Sequence, residues 1–196
     1  MLPKLRRFSL KINRKLATLR VAKVLRKGGL LAHQTGTVAG IAAHPRCPVA
    51  VKKLQRFKQR KGPFLLLADS ASSALSQARY ITPALRKLAK ESWPGAVTLV
   101  FAAKPNHANA CYQKCTMAVR VDSDLESRRL AKLCGGLLLS SSLNRCGKPT
   151  MELQHKLYWR FSTWLDAQLT DEKSAVFNAT PSCIYHIKQS GVTRLR

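Results

Sequence analysis

The sequence has 196 residues, of which 45% are hydrophobic, so it is long enough for one domain with a sizeable core and too apolar for a disordered chain. Its 35 Lys and Arg residues against 9 Asp and Glu give a formal net charge of +26, and no acidic residue precedes Asp69. No apolar run approaches the ~20 residues of a membrane-spanning helix, so we expect no membrane partner. The charge favours a nucleic-acid or nucleotide partner, and the simpler alternative is that it only keeps the protein soluble.

The six cysteines form no C-x-x-C pair, and Cys111 and Cys115 have no second pair or histidine cluster that would complete a zinc site. We therefore expect free thiols in a reducing compartment, and a cytoplasmic protein. Residues 1–20 are rich in arginine and free of acid, as in a transit peptide. We favour the interpretation that they lead into the first helix.

Hydrophobic periodicity and turn residues predict an alternation of helices and strands along the chain. The predicted helices cover residues 13–27, 48–60, 72–80, 83–92, 124–133 and 152–169. The predicted strands cover residues 30–33, 64–68, 96–103, 117–122, 136–142, 175–178, 183–188 and 192–195, and a polar Thr/Gly turn covers 34–40. This mixture predicts a single α/β (α+β) domain over residues 1–196, whose sheet has parallel and antiparallel pairs and whose residues 1–12 are a basic extension that can be flexible.

The motifs of several common catalytic machineries are missing from the sequence. It has no G-x-G-x-x-G or G-x-x-x-x-G-K-S/T phosphate loop, no G-x-S-x-G nucleophile elbow and no H-E-x-x-H zinc motif. Its few acidic residues are scattered, which argues against paired carboxylates and against a metal site built from protein carboxylates. If the chain is an enzyme, we expect it to work by positioning and by cationic stabilisation.

Three segments carry groups that can bind an anionic ligand. Residues 57–62 cluster three cations at a predicted helix end, where they clamp a triphosphate or else form a solvated helix face. Residues 140–144 follow an apolar strand, and ligands of open α/β sheets collect beyond such strand ends, although a Ser-rich turn has the same composition. Arg120 lies within an apolar strand, so its side chain either extends outward or faces an anion in a cleft.

These segments, in their order and spacing, resemble the motifs of the threonylcarbamoyl-AMP synthases, a family with the YrdC-like fold, and in particular its bacterial type. The resemblance runs from about residue 13 to the last residue. The family's Thr-rich turn is matched by residues 34–41, its Lys-x-Arg by 58–60, its Trp-Pro-Gly-x-x-Thr by 93–98, its Thr-x-x-x-Arg by 116–120, its Ser-x-Asn by 142–144, its Ser-Thr-Ile by 182–184 and its closing Leu-Arg by 193–194.

The resemblance implies a fold and an activity. The fold is a twisted mixed sheet with flanking helices and a basic concave face that can bind tRNA or double-stranded RNA. The activity joins L-threonine, bicarbonate and ATP into L-threonylcarbamoyladenylate and pyrophosphate, with Mg²⁺ brought by the ATP and no protein ligand for the metal. Downstream threonylcarbamoyl-transferase proteins would use the product to make threonylcarbamoyladenosine (t6A) next to the tRNA anticodon.

By position, the resemblance also implies two sets of binding residues. Those implied for L-threonine are Thr35, Thr37, Arg120, Ser140 and Ser182. Those implied for ATP are Lys58, Arg60, Lys61, Thr116, Ser142, Asn144, Thr150 and Arg194. Lys58 and Arg60 are also the implied catalytic residues, because cations neutralise the charge that develops on the α-phosphate and on departing pyrophosphate.

The sequence departs from the family pattern around both ends of the implied site. The departures are Gln34 for Pro, Gly36 for an acid, Ala39 for Tyr, Leu66 or a nearby residue for His, Cys183 for Thr and a segment after Arg60 that is a few residues shorter. They leave three functions open. The first is an active synthase, the second a catalytically weakened paralogue that binds double-stranded RNA, tRNA or rRNA, and the third a DNA-binding protein, for which no recognition-helix motif is present.

Overall fold

The computed structural model describes residues 6–9, 14–151, 153, 160–170 and 180–196. Its helices are α1 (Arg14–Arg26), α2 (Pro48–Lys58), α3 (Ala71–Leu75), α4 (Pro83–Ser92) and α5 (Leu125–Leu133), with a 3₁₀ turn at Asn109–Cys111. Its strands are β1 (Arg6–Ser9), β2 (Leu31–His33), β3 (Gly40–Ala43), β4 (Leu65–Ala68), β5 (Val97–Ala102), β6 (Tyr112–Gln113), β7 (Thr116–Val121), β8 (Leu137–Ser142), β9 (Ala167–Thr170), β10 (Cys183–Lys188) and β11 (Gly191–Arg194).

The strands of the described residues form one mixed sheet. Their order is β1-β9-β2-β3-β8-β4-β7-β5-β10-β11, with the short β6 beside β7. The pairs β1/β9, β2/β9, β4/β7 and β5/β10 are parallel, whereas the other pairs are antiparallel. The predicted α/β class, with a mixed sheet and flanking helices, is therefore confirmed.

Hydrophobic cores cover both faces of the sheet, because neighbouring residues of a strand point in opposite directions. In β4, Leu66 belongs to the core beneath α2, and Leu67 belongs to the core beneath α1 and α5. Within the described residues, the strand side chains that are buried in this second core come from β2, β3, β4, β8 and β9, and none comes from β5, β7 or β10. On this face of the sheet, α1 and α5 therefore leave the strands β5, β7 and β10 uncovered.

Local sequence signals set the helix ends. The hydroxyl of Thr82 caps α4 by accepting from the Leu85 amide (3.1 Å), with Pro83 in the first turn. The carboxylate of Asp124 caps α5 in the same way, accepting from the Ser127 amide (2.8 Å). The predicted bounds 83–92 coincide with those of α4, and the predicted strand 183–188 coincides with β10.

Three element predictions are wrong in part. Residues 6–9, expected to lead into a helix, form β1, and residues 40–43, left without an element, form β3. The predicted helix 152–169 is wrong at its end, where residues 167–170 form β9 between β1 and β2. None of these three short strands contains a run of large apolar residues, so the local sequence gives little strand signal.

Other predictions are shortened or lie elsewhere. The predicted helix 72–80 ends at Leu75, and Ala78 instead pairs with Ala103 in an isolated bridge. The predicted cap Asn13, the strand 175–178 and, within the predicted helix 152–169, residues 152 and 154–159 lie outside the described residues, whereas residues 162–164 form a turn. Each helix within the described ranges is too short or too polar to traverse a bilayer.

Candidate active site

A cavity of about 430 Å³ occupies the part of the sheet face that α1 and α5 leave open. Side chains of β4, β5, β7, β8 and β10 line it, together with the turn between β2 and β3, the segment after α2 and the C-terminal residues. Its volume is in the range of small-molecule sites, about 300–1,000 Å³. The lining side chains that carry hydroxyl, amide or cationic groups are Thr35, Thr37, Arg60, Thr98, Gln113, Arg120, Ser140, Ser141, Ser142, Thr150, Ser182 and Arg196.

The turn between β2 and β3 contributes two buried threonine hydroxyls to the cavity wall. Thr35 Oγ1 donates to the Val38 carbonyl (2.7 Å) and accepts from the Thr37 amide (3.2 Å), so the turn closes on its own side chain. The Thr35 and Thr37 hydroxyl oxygens lie 3.1 Å apart. Both hydroxyls are therefore held in fixed positions before any ligand binds.

Arg120 reaches this turn from β7 and is 3% exposed. It donates to Thr37 Oγ1 (2.8 Å) and to Thr35 Oγ1 (3.4 Å), and its Nη2 lies 2.5 Å from a carboxylate oxygen of Asp122. Burial lowers the pKa of Arg120, and the charge of Asp122 opposes that shift. The cavity wall thus contains a buried cation, Arg120, that forms an ion pair with the buried carboxylate of Asp122.

Asp122 belongs to none of the motifs named above, although the sequence contains a signal for it. Residues two apart on a strand share a face, so Arg120 and Asp122 point the same way. A buried arginine also needs a counterion. Together these two rules favour an ion pair between the arginine and the acid that follows it at i+2.

Two further hydroxyls meet at the other strands that line the cavity. Thr98 of β5 and Ser182, which precedes β10, are both buried, and their hydroxyl oxygens lie 2.9 Å apart. The parallel pairing of β5 with β10 brings them together across 84 residues of sequence. Ser140, Ser141 and Ser142, at the end of β8, also line the cavity.

Lys58 ends α2, since Gln59 takes the left-handed conformation (φ 53°). Its ammonium donates to the Ser142 carbonyl (2.8 Å) and to the backbone and side-chain oxygens of Asn144 (2.5 and 2.6 Å). Burial, and then the charge of Arg60, lower the pKa of Lys58 to about 8. These hydrogen bonds hold the loop after β8 in place. Lys58 itself is not among the residues of the described chain that line the cavity.

Arg60 and Lys61, which follow, differ in their environment. Arg60 is exposed at the cavity wall, where its guanidinium carbon lies 4.8 Å from the centre of the Phe64 ring. Its Nη2 is 3.5 Å from Ser141 Oγ. Lys61 is exposed and lies outside the lining of the cavity as far as the structure describes it.

The structure brings most of the sequence-predicted site residues to one cavity. These are Thr35, Thr37, Arg60, Arg120, Ser140, Ser142, Thr150 and Ser182. Asn144 lies behind Ser142 with Lys58, and Thr116, whose hydroxyl donates to the Gln113 carbonyl (2.8 Å), is next to a lining residue without lining the cavity itself. The predicted roles of all these residues remain predictions.

At the C-terminus, Arg196 and not Arg194 lines the cavity. The Arg196 Nε donates to the Ser182 carbonyl (3.0 Å), whereas the Arg194 Nε donates to the backbone carbonyl of Arg196 (3.2 Å). The signal was present in the sequence, because Leu195 and Arg196 form a literal Leu-Arg pair two residues after the pair assigned above.

The departures at Tyr and His differ in their relation to the cavity. Ala39, at the Tyr position, is fully buried in the core beneath α2 and lies outside the described cavity lining. The His position falls at Leu66 or nearby; Leu66 is buried in the same core, whereas the adjacent Leu65 lines the cavity. No group of three His, Cys, Asp or Glu side chains among the described residues is placed to hold a metal ion.

Comparison with known proteins decides the family. The family model Sua5_yciO_yrdC, described as telomere recombination, matches residues 23–196. The chain belongs to the Sua5/YciO/YrdC family. The resemblance found in the sequence is thereby confirmed at the level of the family.

Curated members of this family are similar over most of their length. The threonylcarbamoyl-AMP synthase of Stenotrophomonas maltophilia is 31% identical over 162 residues, which are 80% of this chain and 87% of that protein. The threonylcarbamoyl-AMP synthase of Nitrosococcus oceani is 30% identical over 151 residues, which are 74% of this chain and 80% of that protein.

Solved structures of the Sua5/YciO/YrdC family share the fold. P. abyssi Sua5 complexed with L-threonine has a TM-score of 0.86 at 23% identity, over 98% of this chain and 56% of that chain. E. coli YciO has a TM-score of 0.84 at 17% identity, over 98% of this chain and 94% of that chain. The chain thus spans little more than half of the length of P. abyssi Sua5.

Proposed function

We propose that this chain is a threonylcarbamoyl-AMP synthase, which forms L-threonylcarbamoyladenylate and pyrophosphate from L-threonine, bicarbonate and ATP. The observation that carries the proposal is the convergence of Arg60, Arg120, Ser142 and Ser182 on one cavity, although they lie on different elements of the chain. Membership of the Sua5/YciO/YrdC family and the names of its curated relatives support the same activity.

Under this proposal, the amino acid lies at the end of the cavity that Arg120 lines. The arginine pairs with the carboxylate of L-threonine in a charge-assisted contact, and the neighbouring hydroxyls bind its polar groups. The threonine amine attacks the carbon of bicarbonate, water leaves, and an N-carboxylate forms. An oxygen of this carboxylate then attacks the α-phosphorus of ATP, and pyrophosphate departs with the electrons of the broken P–O bond.

The nucleotide lies at the end of the cavity that carries Arg60, Ser142 and Thr150. Arg60 stabilises the negative charge on the phosphates, which is the main task in such a transfer. Lys58 positions Ser142 by hydrogen bonding to its carbonyl oxygen, and in the proposed function Lys58 does not contact the phosphates directly. Mg²⁺ enters with the ATP and screens the charge of the triphosphate, and the protein contributes hydrogen bonds and cations.

The product defines the partners of the proposed enzyme. A mixed anhydride of a carbamate and AMP is a reactive carbamoyl donor, so a transferase must consume it. We propose that a threonylcarbamoyl-transferase passes the group to the tRNA adenosine next to the anticodon, and that the protein acts in the cytoplasm.

The test is an assay of the purified protein with L-threonine, bicarbonate, ATP and Mg²⁺. We expect stoichiometric pyrophosphate and the carbamoyl-adenylate, each dependent on all three substrates. Arg120→Lys, which loses the bidentate fork, is expected to lower the rate at least about 10-fold, whereas Lys87→Ala on the exposed side of α4 retains it. Folded wild-type protein that forms neither product would refute the proposal.

A second candidate function is RNA binding by a catalytically weakened member of the family. The observation that favours it is the placement of the acids. Among the described residues, Asp122 and Glu126 are buried and Glu91 is the one acidic residue that is mostly exposed, so the surface charge is dominated by Lys and Arg. Such a surface binds the phosphate backbone through counterion release.

RNA binding is tested with labelled double-stranded RNA and tRNA at increasing salt. This candidate predicts an affinity that falls steeply with salt and that survives Arg60→Ala and Ser142→Ala, because it does not depend on the cavity. An absence of binding at moderate salt would exclude it. Binding together with a complete synthase reaction would leave the first function in place.

A further inference from the structure

Asp122 is a buried carboxylate that joins three segments around the cavity. It is 1% exposed and does not line the cavity within the described residues. Its Oδ1 accepts from the Gly36 amide (2.7 Å) and from the Asp124 amide (2.9 Å). Its Oδ2 lies 2.5 Å from Arg120 Nη2. One side chain thus ties the end of β7 to the Thr turn and to the start of α5.

The absence of a side chain at Gly36 makes this arrangement possible. A Cβ at position 36 would lie 1.8 Å from Ser123 Oγ and 3.0 Å from Asp122 Oδ1. The space beside the turn is therefore already filled by the two residues that follow β7. Any acid that paired with Arg120 from position 36 would compete with Asp122 for this space.

The partners of Arg120 show what the carboxylate does. Arg120 Nη2 lies against the Asp122 carboxylate and also donates to the Thr35 hydroxyl, and Arg120 Nη1 donates to the Thr37 hydroxyl. A buried arginine without a counterion is costly and would attract any anion in the cavity, including the triphosphate of ATP. With Asp122 in place, the pair carries no net charge, and the direction of the fork is fixed.

We propose that Asp122 is a positioning residue, which fixes Arg120 so that its cavity-facing edge accepts the carboxylate of the amino-acid substrate and not the phosphates of ATP. The proposal rests on the proposed synthase function. Asp122 acts through Arg120 and has no contact with the substrate, since it is shielded from the cavity. Its effect is therefore confined to the amino-acid end of the site.

The first test compares ligand binding by wild-type protein, Asp122→Asn and the control Glu126→Gln. Glu126 is also a buried carboxylate with an arginine partner, Arg129, but it lies on α5 outside the cavity lining that the structure describes. We expect Asp122→Asn to weaken L-threonine binding by about 10-fold or more and to change ATP binding by less than about 3-fold, in isothermal titrations. Glu126→Gln is expected to change neither.

Three results would overturn the proposal. If Asp122→Asn weakened the binding of L-threonine and of ATP equally, Asp122 would have a general structural role. Unchanged L-threonine binding would show that Arg120 keeps its direction without it. Tighter L-threonine binding would show that Asp122 competes with the substrate for Arg120.

A second variant decides the question if Asp122→Asn does not fold. Gly36→Ala keeps both charges but crowds Ser123 and Asp122. We expect Gly36→Ala to weaken the binding of L-threonine and to leave ATP binding unchanged. Adding Ser123→Ala to the same chain is expected to recover part of the lost affinity, because it removes the closest contact of the new Cβ. Affinity for L-threonine within about 2-fold of wild type in Gly36→Ala would overturn the proposal, because the contact would then be dispensable.

A third measurement separates this proposal from the proposed function. In protein labelled with ¹⁵N-arginine, the ε-NH of the buried Arg120 is expected to exchange slowly with water, and faster after Asp122→Asn. If wild-type protein binds no L-threonine, the synthase function fails, while this signal still decides whether Asp122 fixes Arg120. An exchange rate that does not change in the variant would overturn the positioning role.

Discussion

The ammonium of Lys58 lies 2.6 Å from the side-chain oxygen of Asn144, across 86 residues of sequence. This contact joins the end of α2 to the loop after β8. The ammonium of Lys58 is thus hydrogen-bonded to oxygens of the protein itself. Within this segment of the described chain, Arg60 is the cation that lines the cavity. In the proposed function, the two cations that the Lys-x-Arg motif supplies have separate tasks: Lys58 positions the loop and Arg60 binds the ligand.

The depressed pKa of Lys58 predicts a pH dependence of stability. Burial lowers this pKa from 10.5 to about 8, so between these values the unfolded chain binds more protons than the folded chain. The free energy of unfolding is therefore expected to rise as the pH increases through this window. Urea unfolding of wild-type protein and of Lys58→Met at several pH values checks this, since the variant lacks the contribution. Parallel pH profiles of the two proteins would contradict it.

Substitution of Arg60 is expected to weaken the binding of ATP without affecting the fold. Arg60→Ala removes a charge-assisted contact of about 1.5–3 kcal/mol, which corresponds to about 10–150-fold in the dissociation constant of ATP. Arg56→Ala is the matched control, because Arg56 is an exposed cation of α2 outside the described cavity lining. Thermal-shift titrations with ATP measure both. The same loss in both variants would mean that only the overall charge matters.

Acid is expected to destabilise the protein through His33. This side chain is 1% exposed beneath the Thr turn, and burial lowers its pKa from 6.5 to about 4 despite the nearby Asp122. Between these pH values the unfolded chain binds the proton and the folded chain does not, so stability is lost as the pH falls, by up to about 3 kcal/mol.

The His33 prediction is checked by unfolding at pH values through that window. His33→Gln removes the titrating group and should flatten the slope. Asp124, whose pKa is raised by burial, contributes a slope of the opposite sign in both proteins, so the difference between them isolates His33. An equally steep loss of stability in the variant would count against the assignment.

The aromatic contact beneath α2 is expected to dominate the stability of that core. The buried ring of Phe57 lies 4.9 Å from Phe161 and 6.2 Å from Trp164, both edge-on. Phe57→Ala should lower the free energy of unfolding by about 3–5 kcal/mol, because the cavity left behind cannot be filled. Val49→Ala, at a side chain that is 62% exposed, is the control, with an expected change within about 0.5 kcal/mol. Urea denaturation gives both values.

Much of the fold was predictable from local patterns. The cap at Thr82 with Pro83 fixed the start of α4, and the apolar runs of β4 and β8 were long enough to identify. The strands β1, β3 and β9 were not, because none of them contains a run of large apolar residues and the place of each depends on partners far along the chain. A short strand in a sheet is stabilised by those partners, and its own sequence carries little of the signal.

Residue identities and spacings are enough to give the net charge, the order of the polar motifs and the family pattern that these motifs form. The tertiary structure alone decided which of these groups share a cavity. Sheet order brings Thr98 to Ser182, turns Lys58 toward Asn144, and places Asp122 between Gly36 and Arg120. These contacts join residues from strands and loops that are distant in sequence, and the preferences of a residue for its chain neighbours contain no information about them.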